Sequence, residues 1–237
     1  MKTMWNVAAM TATACLAGSA VAQTRSQVWG GPLTQQAQTV YVTADAGLTT
    51  YESEAAGSKE TKESSTLTVG AWAGEGRLIG AEIKSSEAEV PFSLNKSSMK
   101  TSFRDVRMMA RLAYLIPYVN VSLTEIDVNG TDDQKIGIYG TGMGAGMAVA
   151  FPLHDMLVVQ AEGGTTTSTK VYDKLGQEAK MGRRDEADAH LSFDVTDRIV
   201  DLLVGYRVRR YELEAVGTKF KEESQGAYAG LRVGLYF

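Results

Sequence analysis

Apolar residues recur at every second position through most of the chain beyond Val40, and a period of two dictates extended strands with one apolar and one polar face. Val40, Val42, Ala44, Ala46 and Leu48 interleave with Tyr41, Thr43, Asp45, Gly47 and Thr49. Leu67, Val69, Ala71 and Ala73 alternate with Thr66, Thr68, Gly70, Trp72 and Gly74, and Ile79, Ala81 and Ile83 with Gly80, Glu82 and Lys84. Val106, Met108, Ala110, Leu112 and Tyr114 oppose Asp105, Arg107, Met109, Arg111 and Ala113. Val119, Val121 and Leu123 continue the pattern, followed by Tyr139, Thr141, Met143, Ala145, Met147 and Val149 against the glycines at 140, 142, 144 and 146. Leu157, Val159 and Ala161 oppose Gln160 and Glu162; Ala187, Ala189, Leu191 and Phe193 oppose Glu186, Asp188, His190 and Ser192. Val200, Leu202, Val204, Tyr206 and Val208 oppose Asp201, Gly205, Arg207 and Arg209. Ala229, Leu231, Val233, Leu235 and Phe237 close the series against Tyr228, Gly230, Arg232, Gly234 and Tyr236.

Ten strands are predicted. An eight-stranded alternative would drop the segments at 64–74 and 118–128, whose alternation is weakest. Tight connections are expected after the even strands, at Gly74–Arg77, Ile116-Pro117, Pro152–Asp155 and Thr196-Asp197. Long polar loops are expected after the odd strands, at 53–64, 88–101, 129–135, 173–182 and 215–222. Short turns on one rim and long loops on the other is the layout of a transmembrane antiparallel up-and-down barrel. A soluble sandwich has no need of that asymmetry.

Charge on the polar face supports a lumen rather than a wet outer surface. Asp105, Arg107, Arg111, Glu162, Glu186, Asp188, His190, Asp201, Arg207, Arg209 and Arg232 all fall on it. Lipid outside and a polar interior explain both faces, and closure leaves no unpaired edge in hydrocarbon. The same alternation holds the mean hydropathy down to −0.14. Tyr114, Phe151, Phe193 and Phe237 lie on the apolar face near the ends of even strands, where an interfacial aromatic girdle belongs. In so small a barrel the charges either interlock and fill the interior or line a narrow water path. The glycine face at 140–146 gives clearance for bulky side chains of neighbouring strands.

Composition removes other classes. The 237 residues carry 24 Lys+Arg against 28 Asp+Glu, so no basic excess exists to neutralise nucleic-acid phosphates. One Cys excludes an internal disulfide framework and a Cys-rich zinc site. No run reaches the length of a membrane-spanning helix. Residues 1–22 combine Lys2, an Ala-rich apolar stretch and Ala20-Val21-Ala22, which predicts a secretory signal cleaved before Gln23. Cys15 follows Ala12-Thr13-Ala14 and lacks the Leu of a lipoprotein site. Residues 23–37, including Trp29-Gly30-Gly31-Pro32, form a periplasmic lead before a barrel spanning 38–237.

Leu231, Val233, Leu235 and the terminal Phe237 resemble the assembly signal of Gram-negative outer-membrane β-barrels. That resemblance implies export to the cell outer membrane, with both chain ends in the periplasm. It also implies two partners: the barrel-assembly machinery, and outer-membrane lipid with lipopolysaccharide. The overall size resembles small barrels of the opacity-protein type, mostly eight-stranded; omptin proteases have ten. His190-Leu191-Ser192 looks like the His-x-Ser motif of outer-membrane lipid A deacylases, but Phe193 stands where that family has Asn, and the phase puts both residues in the lumen. His190 also lies at the wrong rim for an omptin site, and His154 reads as a turn residue. Gly140-Thr141-Gly142-Met143-Gly144-Ala145 matches a loose dinucleotide fingerprint without the helix that must follow it. The expectation is therefore a non-enzymatic surface barrel without cofactor or metal, acting structurally or by binding a surface ligand or host partner through its loops. A narrow channel is the alternative and an outer-membrane hydrolase the third reading. Oligomeric state is not fixed by the sequence.

Overall fold

The computed structural model describes residues 38–53, 58–73, 78–92, 97–112, 114–129, 135–154, 156–173, 178–195, 199–215 and 218–236. The predicted signal, the periplasmic lead, the turns at 74–77 and 196–197 and Phe237 lie outside the described residues.

Ten strands follow one another in chain order: β1 (Gln38–Ser53), β2 (Ser58–Ala73), β3 (Ile79–Phe92), β4 (Ser97–Ala110), β5 (Leu115–Asn129), β6 (Lys135–His154), β7 (Leu157–Asp173), β8 (Glu178–Asp194), β9 (Val200–Ala215) and β10 (Thr218–Tyr236). Each pairs antiparallel with its neighbours, and β1 pairs with β10 from Thr39↔Tyr236 to Ser53↔Glu222. The sheet is thus a closed up-and-down barrel without an edge. The predicted strand number and the predicted phase of every strand are as found.

The wall reads outward as the alternation demands. Val40, Leu48, Val69, Ile79, Ile83, Val106, Met108, Val119, Val121, Met143, Leu191, Leu202, Val204 and Leu231 are all exposed. On β6 the outward face runs from Tyr139 to Phe151, both exposed. Twelve steps of about 3.4 Å at a tilt of about 40° rise roughly 30 Å, the scale of a hydrocarbon layer with its aromatic borders. Tyr114 and Phe151 lie 5.2 Å apart between ring centroids, and Phe193 is exposed on β8 near the same rim. Three of the four expected girdle residues are therefore in place.

Three expectations about the connections need correction. Ile116-Pro117 is not a turn. β4 ends at Ala110, β5 begins at Leu115, and Tyr114 belongs to the turn between them rather than to β4. Pro117 is tolerated inside β5 because the β4–β5 ladder begins only at Met109↔Tyr118. Nor are the expected long loops at 53–64, 88–101, 173–182 and 215–222 loops for most of their length. The hairpin ladders continue to Ser53↔Ser58, Phe92↔Ser97, Asn129↔Lys135, Tyr172↔Glu178 and Ala215↔Thr218. Their polar residues lie beyond the apolar belt, where both strand faces meet water and the hydropathy period disappears. The wall is lower between β2 and β3, whose pairing stops at Ser64↔Ala88. His154, expected in a turn, is the last residue of β6.

Candidate functional site: the packed lumen

The lumen is built in three tiers. Nearest the rim of the short connections, Trp72, Met109, Ile116, Tyr118, Ala148, Ala150 and Val158 form a buried apolar cluster, with Tyr41 packed against it. Nearest the opposite rim, Phe103 meets Tyr211 edge-on at 5.6 Å, and Tyr51 and Ile126 are buried at the same end. Charged side chains occupy the space between.

Glycines make room for the rings. A Cβ on Gly146 or Gly164 would collide with the Tyr118 ring, one on Gly70 with Tyr41, and one on Gly205 with Tyr228. Tyr118 is thus seated on Gly146 of β6 and Gly164 of β7, while Gly144 gives clearance to Asn120 and Thr166.

Across the middle tier the ion pairs join strands far apart in sequence. Lys84 Nζ stands 3.0 Å from Glu162 Oε1 and 2.6 Å from Glu186 Oε1. Arg107 donates to Glu82 at 3.1 Å and to Glu162 at 3.2 Å. Arg184 donates to both oxygens of Asp105, each at 2.7 Å. Arg207 donates to Asp188 at 2.9 Å, to Asp45 at 3.2 Å and to Thr66 at 2.6 Å. Arg209 reaches Glu186 at 3.4 Å. Two phenols join the same carboxylates, Tyr41 donating to Glu82 and Tyr228 to Asp188, both at 2.8 Å.

Each guanidinium also covers a ring. Arg107 lies over Tyr118 at 4.6 Å, Arg207 over Tyr228 at 4.5 Å, Arg111 over Trp72 at 5.1 Å and Arg232 over Tyr41 at 5.6 Å. Arg184 and Arg209 both lie over Phe103, at 4.7 and 4.9 Å. A planar cation can satisfy carboxylates at its edge and a π-system on its face at once, which an ammonium cannot. The tiers are therefore locked to one another: rings of the end tiers stack on cations whose partners span the barrel.

Asp105, Arg107, Glu162, Glu186, Asp188, Arg207 and Arg209 take part in the ion pairs above, and Arg111, His190, Asp201 and Arg232 lie on the same inward face. Asp201 and Arg232 face each other across the β9–β10 ladder, and Arg232 donates to Thr43 Oγ1 at 3.2 Å. Of the assembly residues, Leu231, Val233 and Leu235 pair with Ala44, Val42 and Val40 of β1, so this segment closes the barrel.

Sequence reasoning passed over Asp45, Glu82, Lys84 and Arg184 as site residues. The first three sat on the polar face of recognised strands; Arg184 sat where a loop was expected to end. Leu203 was passed over as well. It faces inward at 2% exposure, hidden beside the outward Leu202 in an unbroken apolar run.

The hydrolase motif takes a structural place. His190 Nδ1 lies 2.9 Å from Asp188 Oδ1, which also accepts from Tyr228. His190 and Ser192 are buried on the luminal face, turned away from lipid. A luminal cavity of about 60 Å³ is bordered by His190, Gln160, Glu162, Arg207 and neighbours. That is room for a few water molecules. Among the described residues no cluster of His, Cys, Asp and Glu could hold a metal ion.

No protein-family model and no curated protein sequence matches the chain. Solved structures similar to it are barrels. Neisserial surface protein A is 17% identical, with 82% of this chain covering 96% of that one at a TM-score of 0.42. The translocator domain of the autotransporter NalP from Neisseria meningitidis is 14% identical, with 84% and 89% covered at 0.49. The outer membrane protease OmpT from Escherichia coli is 9% identical, with 84% and 97% covered at 0.46. Likeness at this level transfers no residue role and no activity. The closed sheet, its apolar belt and its charged, packed interior make the chain a transmembrane β-barrel of the outer-membrane type.

Proposed function

We propose that the chain is a non-enzymatic surface barrel of a Gram-negative outer membrane, closed to solutes, that serves envelope integrity or binds surface partners through its projecting hairpins. The observation that carries this reading is the three-tier lumen. Its cations are held both by carboxylates of distant strands and by rings seated on glycine, so clearing a path would break several buried pairs together. Separating one partner of a buried pair costs about 3–5 kcal/mol. The hairpins supply the other half: paired sheet continues past the apolar belt and carries polar strands outward.

The rival reading, a narrow channel for ions or small solutes, is favoured by the small charged cavity beside His190 and Arg207. Solute flux separates the two. Liposomes containing the refolded protein should swell in small sugars no faster than protein-free liposomes. Swelling that rises with protein content and falls with solute size would establish the channel instead.

A further inference from the structure

The outer wall carries a recess that the packing of the lumen does not use. It lies across β4, β5 and β6, has a volume of about 470 Å³, and is bordered by Ser102, Arg104, Leu123, Glu125, Tyr139 and Thr141. All six have the outward phase of their strands. The recess straddles the upper border of the apolar belt: Val106, Val121 and Met143 lie exposed below it on the same strands, and Lys100, one outward step above Ser102, pairs with Glu87, which is level with Ser102 on β3.

Ser102 is the first sign of a built site. It faces outward yet is only 6% exposed, and its Oγ has no hydrogen-bond partner among the described residues. Glu87 and Glu125 flank it across the two ladders. Arg104 is the second. The outward cations Lys59, Lys100, Arg183 and Arg210 each stand beside a carboxylate, and Arg104 has no such partner among the described residues. The backbone is irregular here too. The β6–β7 ladder slips by one residue, Thr141 facing Lys170 and Gly142 facing Ser168, and such bulges re-aim the side chains beside them.

We propose that this recess binds one phosphorylated glycolipid of the outer leaflet. The guanidinium of Arg104 takes the phosphate, with the Ser102 hydroxyl donating to a phosphate oxygen. Glu125 accepts from sugar hydroxyls, and the Tyr139 ring gives the sugar an amphipathic platform. Leu123, Val121 and Met143 continue downward as the surface for an acyl chain. A glycerophospholipid with the same phosphate has no sugar to satisfy Glu125 and Tyr139. The site depends on the barrel lying in a membrane and not on whether its lumen conducts.

Native mass spectrometry of the detergent-folded protein tests this, with bis-phosphorylated lipid A, its dephosphorylated form and phosphatidylglycerol as probes. One bis-phosphorylated lipid A should be retained per barrel. Arg104→Gln should lower that retention at least tenfold, and Tyr139→Ala several-fold. Arg210→Gln, an outward cation away from the recess, should leave it unchanged. Heat-dependent gel mobility confirms folding of each variant, and Ser102→Ala replaces Arg104→Gln if the latter does not fold. Equal retention by wild type and Arg104→Gln, an equal loss in Arg210→Gln, or equal retention of phosphatidylglycerol would overturn the proposal.

Discussion

Gly146 and Gly163 are both glycines of the wall, but their surroundings differ. A methyl on Gly146 would meet the Tyr118 ring, whereas one on Gly163 would have Glu186 O at 3.9 Å as its nearest neighbour. Gly146→Ala should therefore destabilise the barrel by about 1–3 kcal/mol, the usual result of overpacking a filled interior. Gly163→Ala should change stability little. Urea unfolding followed by tryptophan fluorescence reads both. Asp105 and Arg184 give a second contrast, because both are buried and bonded at two points. Asp105→Leu alone leaves a buried guanidinium without its counter-charge and should cost about 3–5 kcal/mol. The double change Asp105→Leu with Arg184→Met removes both charges and should recover most of that loss, since a buried pair and an apolar pair of similar volume differ little in stability. If the double variant were as unstable as the sum of its singles, the pair would not be coupled as the geometry requires.

Strands carry their own test of the membrane boundary. Val119 sits near the middle of the outward series on β5, while Thr61 lies above the belt on β2 and bonds to Thr50. Arg at 119 should cost about 2–4 kcal/mol and Arg at 61 at most about 1, because the penalty for a lipid-facing cation follows depth. Equal effects at the two sites would place the hydrocarbon layer elsewhere. The belt was legible in the sequence because a one-sided lipid environment imposes strict alternation. Strand length was not, because above the belt Ser58–Ser65 is polar on both faces and reads as loop. The start of β5 carries no alternation for a related reason. Leu115 faces out and Ile116 faces in, both apolar, because at that height the lumen is apolar too. Alternation vanishes wherever the two faces share a polarity.

At the scale of the whole barrel, the phase of the luminal charges was readable but their partners were not. Asp45 and Arg207 meet from positions 162 residues apart, and Lys84 bridges to β7 and β8 across the interior. Such pairs depend on strand stagger around a closed sheet, which no local pattern encodes. The alternating segment that runs from Leu231 to Phe237 adds a prediction about assembly, tested at Phe237. Removing Phe237 should lower the amount of folded barrel in cells while detergent refolding of the purified chain proceeds, because the segment resembles a signal read by the assembly machinery. Equal yields in cells would refute that role. The barrel's own side chains fill its lumen. Single-channel recording in a planar bilayer tests that filling most directly, on protein whose folding is verified by heat-dependent gel mobility. A folded barrel should insert without discrete conductance steps in molar salt. Reproducible steps that persist with the network of Arg107, Arg207 and Glu162 intact would contradict a closed lumen.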